Sequence, residues 1–349
     1  MYICGLTVPK DYSLSSIGVT QGLIKTYLTC QLKYLYSINR LYVPGGAGRT
    51  TGFGTMFHYV LEQTYKMWSN HKQLPSAKDI SGWLDKCTSD SPEDFAGDND
   101  VEMEKTIIET MIPAYLRFYS SDFKRIEIVG IEEELAVLLD PFVLRGKIDL
   151  LFRIGKELYT RDYKTHSRIN EATMNLTLAF DYQHLFYTKC VELIRGENVK
   201  GSYHDVIRNP KYDFKGSFDE CRHRLEQELR TRPQHFFKRF IINFSKEDKE
   251  RHTKELLNVL YEIQERLEGK RMFLHNPNAC AGYSTCQFLE ACSSGKLTGY
   301  KRGDEYFHEL SHPLKEVVNG TSSRNEARHT GRPAGQARLV KNKRITRVQ

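Results

Sequence analysis

Two short runs, Arg145-Gly146-Lys147-Ile148-Asp149 and Arg161-Asp162-Tyr163-Lys164-Thr165, carry the side chains best suited to chemistry. Between them, Ile154-Gly155-Lys156-Glu157 has the form of a two-residue hairpin turn, with Gly155 at the first central position that a type II′ turn favours. Pairing outward from that turn predicts Asp149 directly opposite Asp162, and cross-strand partners hold their Cβ atoms roughly 4.5–5.5 Å apart on one face. The two-residue period of a strand adds Lys164 to the face of Asp162. Carboxylates that close repel one another unless a cation sits between them. A hard divalent ion meets that need, and Mg²⁺ typically takes one or two carboxylates together with a substrate phosphate. Such an ion activates water and neutralises charge on a phosphoryl group, while Lys164 could position the water or stabilise the transition state. The bland alternative is a surface salt-bridge cluster on a solvated sheet face. Gln183 and Tyr187, four residues apart, share one helical face and can reach a phosphate or orient Lys164. A partly buried core helix would show the same spacing.

The elements that must position these groups are legible in outline. Ile126–Leu139, Val143–Phe152 and Glu157–Thr165 read as three successive strands, and Gly201–Arg208 and Phe236–Phe244 as two more. A helix of about six turns is expected from Glu171 to Arg195, with Asn170 as its N-cap. Ser245 and Asp248 have capping-box spacing, and Leu256, Leu260, Ile263 and Leu267 mark the buried face of the helix that follows. Upstream, Gly-rich punctuation at Pro44–Gly54 precedes a helical run, Met56–Trp68, and a polar stretch at Ser89–Asp100 precedes another, Val101–Tyr119. This order predicts a mixed α/β core with a helical shell.

Composition narrows the class. The 349 residues are 40% hydrophobic and 27% charged, ordinary values for a chain that buries a core. No apolar run approaches the ~20 residues of a membrane span, and the N-terminus lacks a secretory pattern, so a cytoplasmic protein with no membrane partner is expected. The net charge of +7 is local: residues 319–349 hold eight Lys or Arg and one Glu, and the other 318 residues balance at 43 of each sign. Nucleic-acid affinity in the body must therefore come from a groove rather than from overall charge. The basic tail reads as disordered, either adding phosphate affinity or serving as a solubilising appendage. Of eight cysteines, Cys4, Cys87, Cys190 and Cys221 are scattered, whereas Cys280, Cys286 and Cys292 cluster. In an intracellular chain these are reduced thiols or ligands rather than disulfides.

Taken together, Gly146 with Asp149, Asp162 through Thr165, and Gln183 with Tyr187 resemble the PD-(D/E)XK nuclease superfamily, RecB-type branch. Gly54, His58, Leu61 and Glu62 match its upstream Gly-x-x-x-His-x-x-Leu-Glu context, although a lone histidine on an amphipathic helix is commonly an ordinary half-buried one. The resemblance implies a restriction-endonuclease-like fold, with Mg²⁺ or Mn²⁺ held by His58, Asp149, Asp162 and the Tyr163 carbonyl, and with Lys164, Gln183 and Tyr187 beside it. Ser13, Ser15, Cys30, Lys33, Tyr34 and Tyr36 further resemble the N-terminal element of the iron–sulfur exonucleases of CRISPR-associated, helicase-linked and phage systems. That likeness implies a 4Fe-4S cluster on Cys30, Cys280, Cys286 and Cys292, clasping the two ends of the chain. The last three cysteines lack the usual Cys-x-x-Cys pair, so zinc or free structural thiols remain alternatives. The implied organisation is an N-terminal segment 1–52, a helical region 53–125, a nuclease core 126–244, a cysteine region 245–312 and a tail 313–349. The implied activity is exonucleolytic cleavage of single-stranded DNA or duplex ends in recombination, repair or phage replication, with a helicase, recombination or replication protein as partner. A structure-specific or nicking endonuclease and a non-catalytic nucleic-acid-binding subunit are the rivals.

Overall fold

The hairpin at Gly155-Lys156 forms in the expected register. Gly155 has φ +62°, the left-handed backbone that its missing Cβ permits, and Ile154 pairs with Glu157 and Leu150 with Arg161. The computed structural model describes residues 6–43, 52–91, 95, 101–210, 217–281, 285–303 and 310. Most of the Pro44–Gly54 punctuation, most of the Ser89–Asp100 stretch, Cys4 and the basic tail lie outside them.

In chain order the elements are β1 (Val19–Thr20), α1 (Gln21–Thr29), α2 (Gln31–Ile38), β2 (Leu41–Tyr42), α3 (Gly52–His71), α4 (Ala77–Asp90), α5 (Val101–Phe118) and α6 (Asp122–Arg125). There follow β3 (Ile126–Leu139), β4 (Phe142–Ile154), β5 (Glu157–His166), α7 (Glu171–Thr177), α8 (Tyr182–Arg195) and β6 (Val199–Arg208). The rest are α9 (Phe218–Thr231), β7 (Phe237–Asn243), α10 (Lys246–Leu267), α11 (Leu289–Ser294) and β8 (Lys301–Arg302). β3, β4, β5, β6 and β7 form a mixed sheet in which β5 and β6 are parallel, and short β1 lies parallel to β4 at Leu144 and Arg145. β2 and β8 make a separate two-stranded sheet that joins the two ends of the described chain.

Helices cover both faces of the sheet, which makes the expected α/β layering. One core gathers α1, α2, α8 and α10 against Leu144, Ile148, Leu151 and Leu158; the other gathers α3, α4, α5 and α9 against Leu150, Phe152, Tyr159 and Tyr163. These memberships expose a break in β4. Leu144 and Ile148 face the first core, yet Leu150 and Phe152, at the same even positions, face the second. A strict two-residue alternation cannot do this. The inversion falls at Asp149, and across the ladder Glu132 has φ +49°, between the pairs Ile131–Leu150 and Glu133–Ile148. Both strands thus twist where the first carboxylate sits.

Two expectations need correction. The β4–β5 ladder ends at Leu150–Arg161, so Asp149 and Asp162 are not ladder partners. β4 inverts at that point, and farther upstream its Leu144 and Arg145 pair with β1. The single helix expected from Glu171 to Arg195 is two. A 3₁₀ turn at Leu178–Phe180 ends α7, and Asp181, with extended backbone, caps α8 through its carboxylate, which accepts from the Gln183 N–H at 2.7 Å. Asn170 does cap α7, accepting from the Thr173 N–H at 3.2 Å. No helix among the described residues is long and apolar enough to cross a membrane.

Candidate active site

The opening between β4 and β5 is where the predicted residues meet. Asp149 accepts a hydrogen bond from the backbone N–H of Tyr163 at 2.8 Å, across the gap where the ladder stops. A residue's N–H and C=O leave an extended strand on the same side, so the Tyr163 carbonyl faces this opening too. α3 supplies the roof. Phe57, Leu61 and Tyr65 bury its apolar stripe, Tyr65 stacks on Tyr163 at 6.3 Å, and the stripe leaves His58 and Glu62 on the cleft side. His58 Nδ1 then lies 3.7 Å from Asp149 Oδ2. The cleft has a volume of about 620 Å³, and His58, Glu62, Glu132, Lys147, Asp149 and Lys164 line it.

Asp162 forms the second half. Its Oδ1 accepts from Lys164 Nζ at 2.8 Å and from Gln183 Nε2 at 2.6 Å. Gln183 can reach because Asp181 starts α8 just before it. The ring of Tyr187, one turn later, lies on Gly146. A Cβ at Gly146 would stand 2.6 Å from Tyr187 Cε1, which explains the glycine three residues before Asp149. Oδ2 of Asp162 is buried without a hydrogen bond, with His204 Nδ1 3.4 Å away.

The electrostatics are uneven. Burial, and then the charge of Asp162, push Asp149 up to about 7. Burial also opposes ionisation of Asp162, but the Lys164 ammonium and the two neighbouring histidines outweigh it and hold this carboxyl below the usual range. Lys164 stays charged: burial would lower it, and Asp162 and Asp149 raise it by more. Burial and Lys164 keep His58 below its usual value, which leaves a neutral imidazole. One carboxylate is therefore ionised and the other is balanced near neutrality, an arrangement that a shared cation would relieve. The donor set of two carboxylates, a main-chain carbonyl and a neutral imidazole fits Mg²⁺ or Mn²⁺.

Sequence reasoning missed four residues here. Glu132 and Lys147 form an ion pair of 2.6 Å at the edge of the cleft. Lys147 stands two residues from Asp149 and was detectable by strand period, whereas Glu132 depends on a bulged register. Behind Asp162, His184 Nε2 lies 3.0 Å from His204 Nδ1. Neither histidine has a sequence signal beyond its adjacency to Gln183 or its place on β6.

Residues 19–293 match the family model of the PD-(D/E)XK nuclease superfamily. The chain belongs to that superfamily. No curated protein matches it. Among solved structures it is similar to a Eubacterium rectale protein named as a candidate exonuclease, at 13% identity and a TM-score of 0.46, with 84% of this chain and 95% of that one covered. Nucleases of this superfamily use divalent metals, and the matched range contains Asp149, Asp162 and Lys164.

The four predicted cluster cysteines also meet. Cys30, Cys280, Cys286 and Cys292 line one small apolar cavity of about 50 Å³ together with Phe288 and Leu289. One main-chain and one side-chain bond bring the segments together, with Leu32 N–H donating to the Leu274 carbonyl at 3.1 Å and the Asn276 side-chain Nδ2 to the Thr29 carbonyl at 2.9 Å. Among the described residues, only Asp162, His184 and His204 bring three possible ligand atoms within 4.8 Å of one another. No three of the thiols come that close, whereas tetrahedral Zn–S bonds of about 2.3 Å would set all four ~3.8 Å apart. In a 4Fe-4S cluster each thiolate binds its own iron, so wider spacing fits the cluster better.

Proposed function

We propose that this nuclease hydrolyses DNA phosphodiester bonds with Mg²⁺ or Mn²⁺, acting as an exonuclease on single strands or duplex ends. The observation that carries the reading is the pairing of an ionised Asp162 and a near-neutral Asp149 with Lys164 and His58 around one cleft. His58, Asp149, Asp162 and the Tyr163 carbonyl would hold the cation. When bound, it supplies Lewis acidity toward a phosphate oxygen and the attacking water. Lys164, fixed by its bond to Asp162, points a charged donor at the cleft, where it stabilises charge developing on the phosphate. Gln183 fixes Asp162 Oδ1, and Tyr187 holds α8 against Gly146. A 4Fe-4S cluster on Cys30, Cys280, Cys286 and Cys292 serves as a structural clasp, because hydrolysis requires no redox step. A helicase, recombination or replication protein, in the course of recombination, repair or phage replication, would supply the DNA ends.

Linear and circular single-stranded DNA of one sequence test the reading. Mg²⁺-dependent loss of the linear form with circles intact is expected. Cleavage of circles at a comparable rate would replace the exonuclease with an endonuclease.

A further inference from the structure

Beneath the cleft, on the side of Asp162 away from Lys164, three ligand-type atoms converge in the protein interior. They are Asp162 Oδ2, His204 Nδ1 and His184 Nε2, in residues 5%, 5% and 2% exposed. The spacings are 3.4 Å from Oδ2 to His204 Nδ1 and 3.0 Å between the two ring nitrogens. Protons do not satisfy this trio. A proton on His184 Nε2 serves the lone pair of His204 Nδ1 and leaves Asp162 Oδ2 without a donor. A proton on His204 Nδ1 serves one neighbour at the expense of the other. Asp162 Oδ2 is in fact a buried oxygen without a hydrogen bond.

We infer that Asp162, His184 and His204 form a buried site for a late first-row divalent ion of the Zn²⁺ or Co²⁺ class, separate from the cleft cation. Three observations support it. Ligand bonds of about 2.0–2.2 Å in a tetrahedral site set their donor atoms roughly 3.3–3.6 Å apart, which includes the 3.4 Å from Oδ2 to His204 Nδ1 and lies a few tenths of an ångström above the 3.0 Å between the rings. Metal-bound histidines ordinarily donate their second N–H to a fixed acceptor. His184 Nδ1 lies 2.8 Å from Ser202 Oγ, which in turn contacts Thr160 Oγ1 at 2.9 Å, a buried chain that fixes the ring with Nε2 directed at His204 Nδ1. Finally, two imidazoles select against Mg²⁺, so the ion differs in kind from one bound through carboxylates and carbonyl at the cleft. Asp162 then bridges the two, Oδ1 toward the cleft and Oδ2 toward the histidines, and an ion on Oδ2 fixes the orientation of Oδ1.

The inference concerns binding and does not require cleavage activity. Full-length protein, stripped with chelator and held in excess Mg²⁺ to fill the cleft, is titrated with Co²⁺ and followed by its visible d–d absorption. The expected result is one tight equivalent, unchanged in Asp149→Ala and in Cys30→Ser, weakened about 10–100-fold in Ser202→Ala through loss of the hydroxyl that holds His184 Nδ1, and abolished in His204→Gln. X-ray absorption of the Zn²⁺-loaded wild type provides a check that needs no variant. Two imidazoles and no sulfur are expected, whereas one imidazole would assign the ion to His58 and sulfur would assign it to the cysteines. Either of those, or an undiminished equivalent in folded His204→Gln, overturns the site.

Discussion

Replacing Asp149 by asparagine should make the metal-free protein more stable at alkaline pH while destroying its activity. Asp149 titrates at about 7 in the fold because burial and Asp162 disfavour its charge, against roughly 3.9 in an unfolded chain. Between those values the folded state holds a proton that the unfolded state has released. Stability therefore falls as pH rises from about 4 to about 7, and above that the loss is complete. From pH 5 to pH 7, at about 1.4 kcal/mol per pH unit, wild type forfeits about 2.7 kcal/mol that an uncharged side chain retains. The Asp149 side chain keeps 15% of its surface exposed, so water relaxes the charge and the observed difference should be about 1–2.7 kcal/mol. Asparagine preserves the acceptor for the Tyr163 N–H, so the main-chain contact survives. Urea unfolding in EDTA at pH 5 and pH 8 reads the effect as a shift in midpoint at constant slope. The Asp149→Asn variant should gain on wild type between the two pH values, and Mg²⁺ or Mn²⁺ should restore wild type selectively at pH 8. An equal pH dependence in both proteins would refute the frustrated-carboxylate account.

Other perturbations probe the supports of the site. Gly146→Ala puts a Cβ 2.6 Å from the Tyr187 ring, so it should cost about 1–3 kcal/mol and lower kcat, with Tyr187→Leu partly restoring stability in the double variant, as thermal melts would show. Arg161 is fully buried and bonds Tyr65 and Asp122 at 2.7 and 3.0 Å, so Arg161→Ala should cost about 3–5 kcal/mol by leaving Arg239 alone to balance the buried Asp122 and Asp205, measured by denaturant unfolding. Cys30→Ser should remove the brown visible absorption of anaerobically purified protein and lower its melting temperature. Colourless wild type with stoichiometric zinc at the cysteines would contradict the cluster.

The parts of this fold that local rules govern were legible. The Gly155-Lys156 turn set the hairpin, and β3 spans the very residues its composition marked. The Ser245–Asp248 box capped α10, and identical spacing at Ser76–Asp79 and Ser217–Glu220 starts α4 and α9, which went unread for want of a strong apolar period in their polar sequences. What failed depended on tertiary context. The inversion of β4 at Asp149 belongs to the assembled sheet and its two cores, and no pairing rule applied to one hairpin contains that information. The split at Asp181 was written in an N-cap residue, but a continuous apolar pattern on both sides masked it. Asp149, Asp162, Lys164, His58 and Gln183 were singled out because motif order carries across a family, and the structure brings them close together. His184 and His204 were not, because a buried histidine has no spacing signature of its own.

The most direct test of the central claim is cleavage of end-labelled single-stranded DNA in Mg²⁺ or Mn²⁺ by wild type and by folded Asp149→Ala and Lys164→Ala, with DNA binding measured in parallel. Metal-dependent degradation by wild type, a loss of at least about 10²–10³-fold in each variant, and retained binding are the predicted results. Undiminished cleavage by either variant, or no cleavage of DNA or RNA by wild type purified with its metal centre intact, would contradict the assignment of Asp149, Asp162 and Lys164 as the centre of this nuclease.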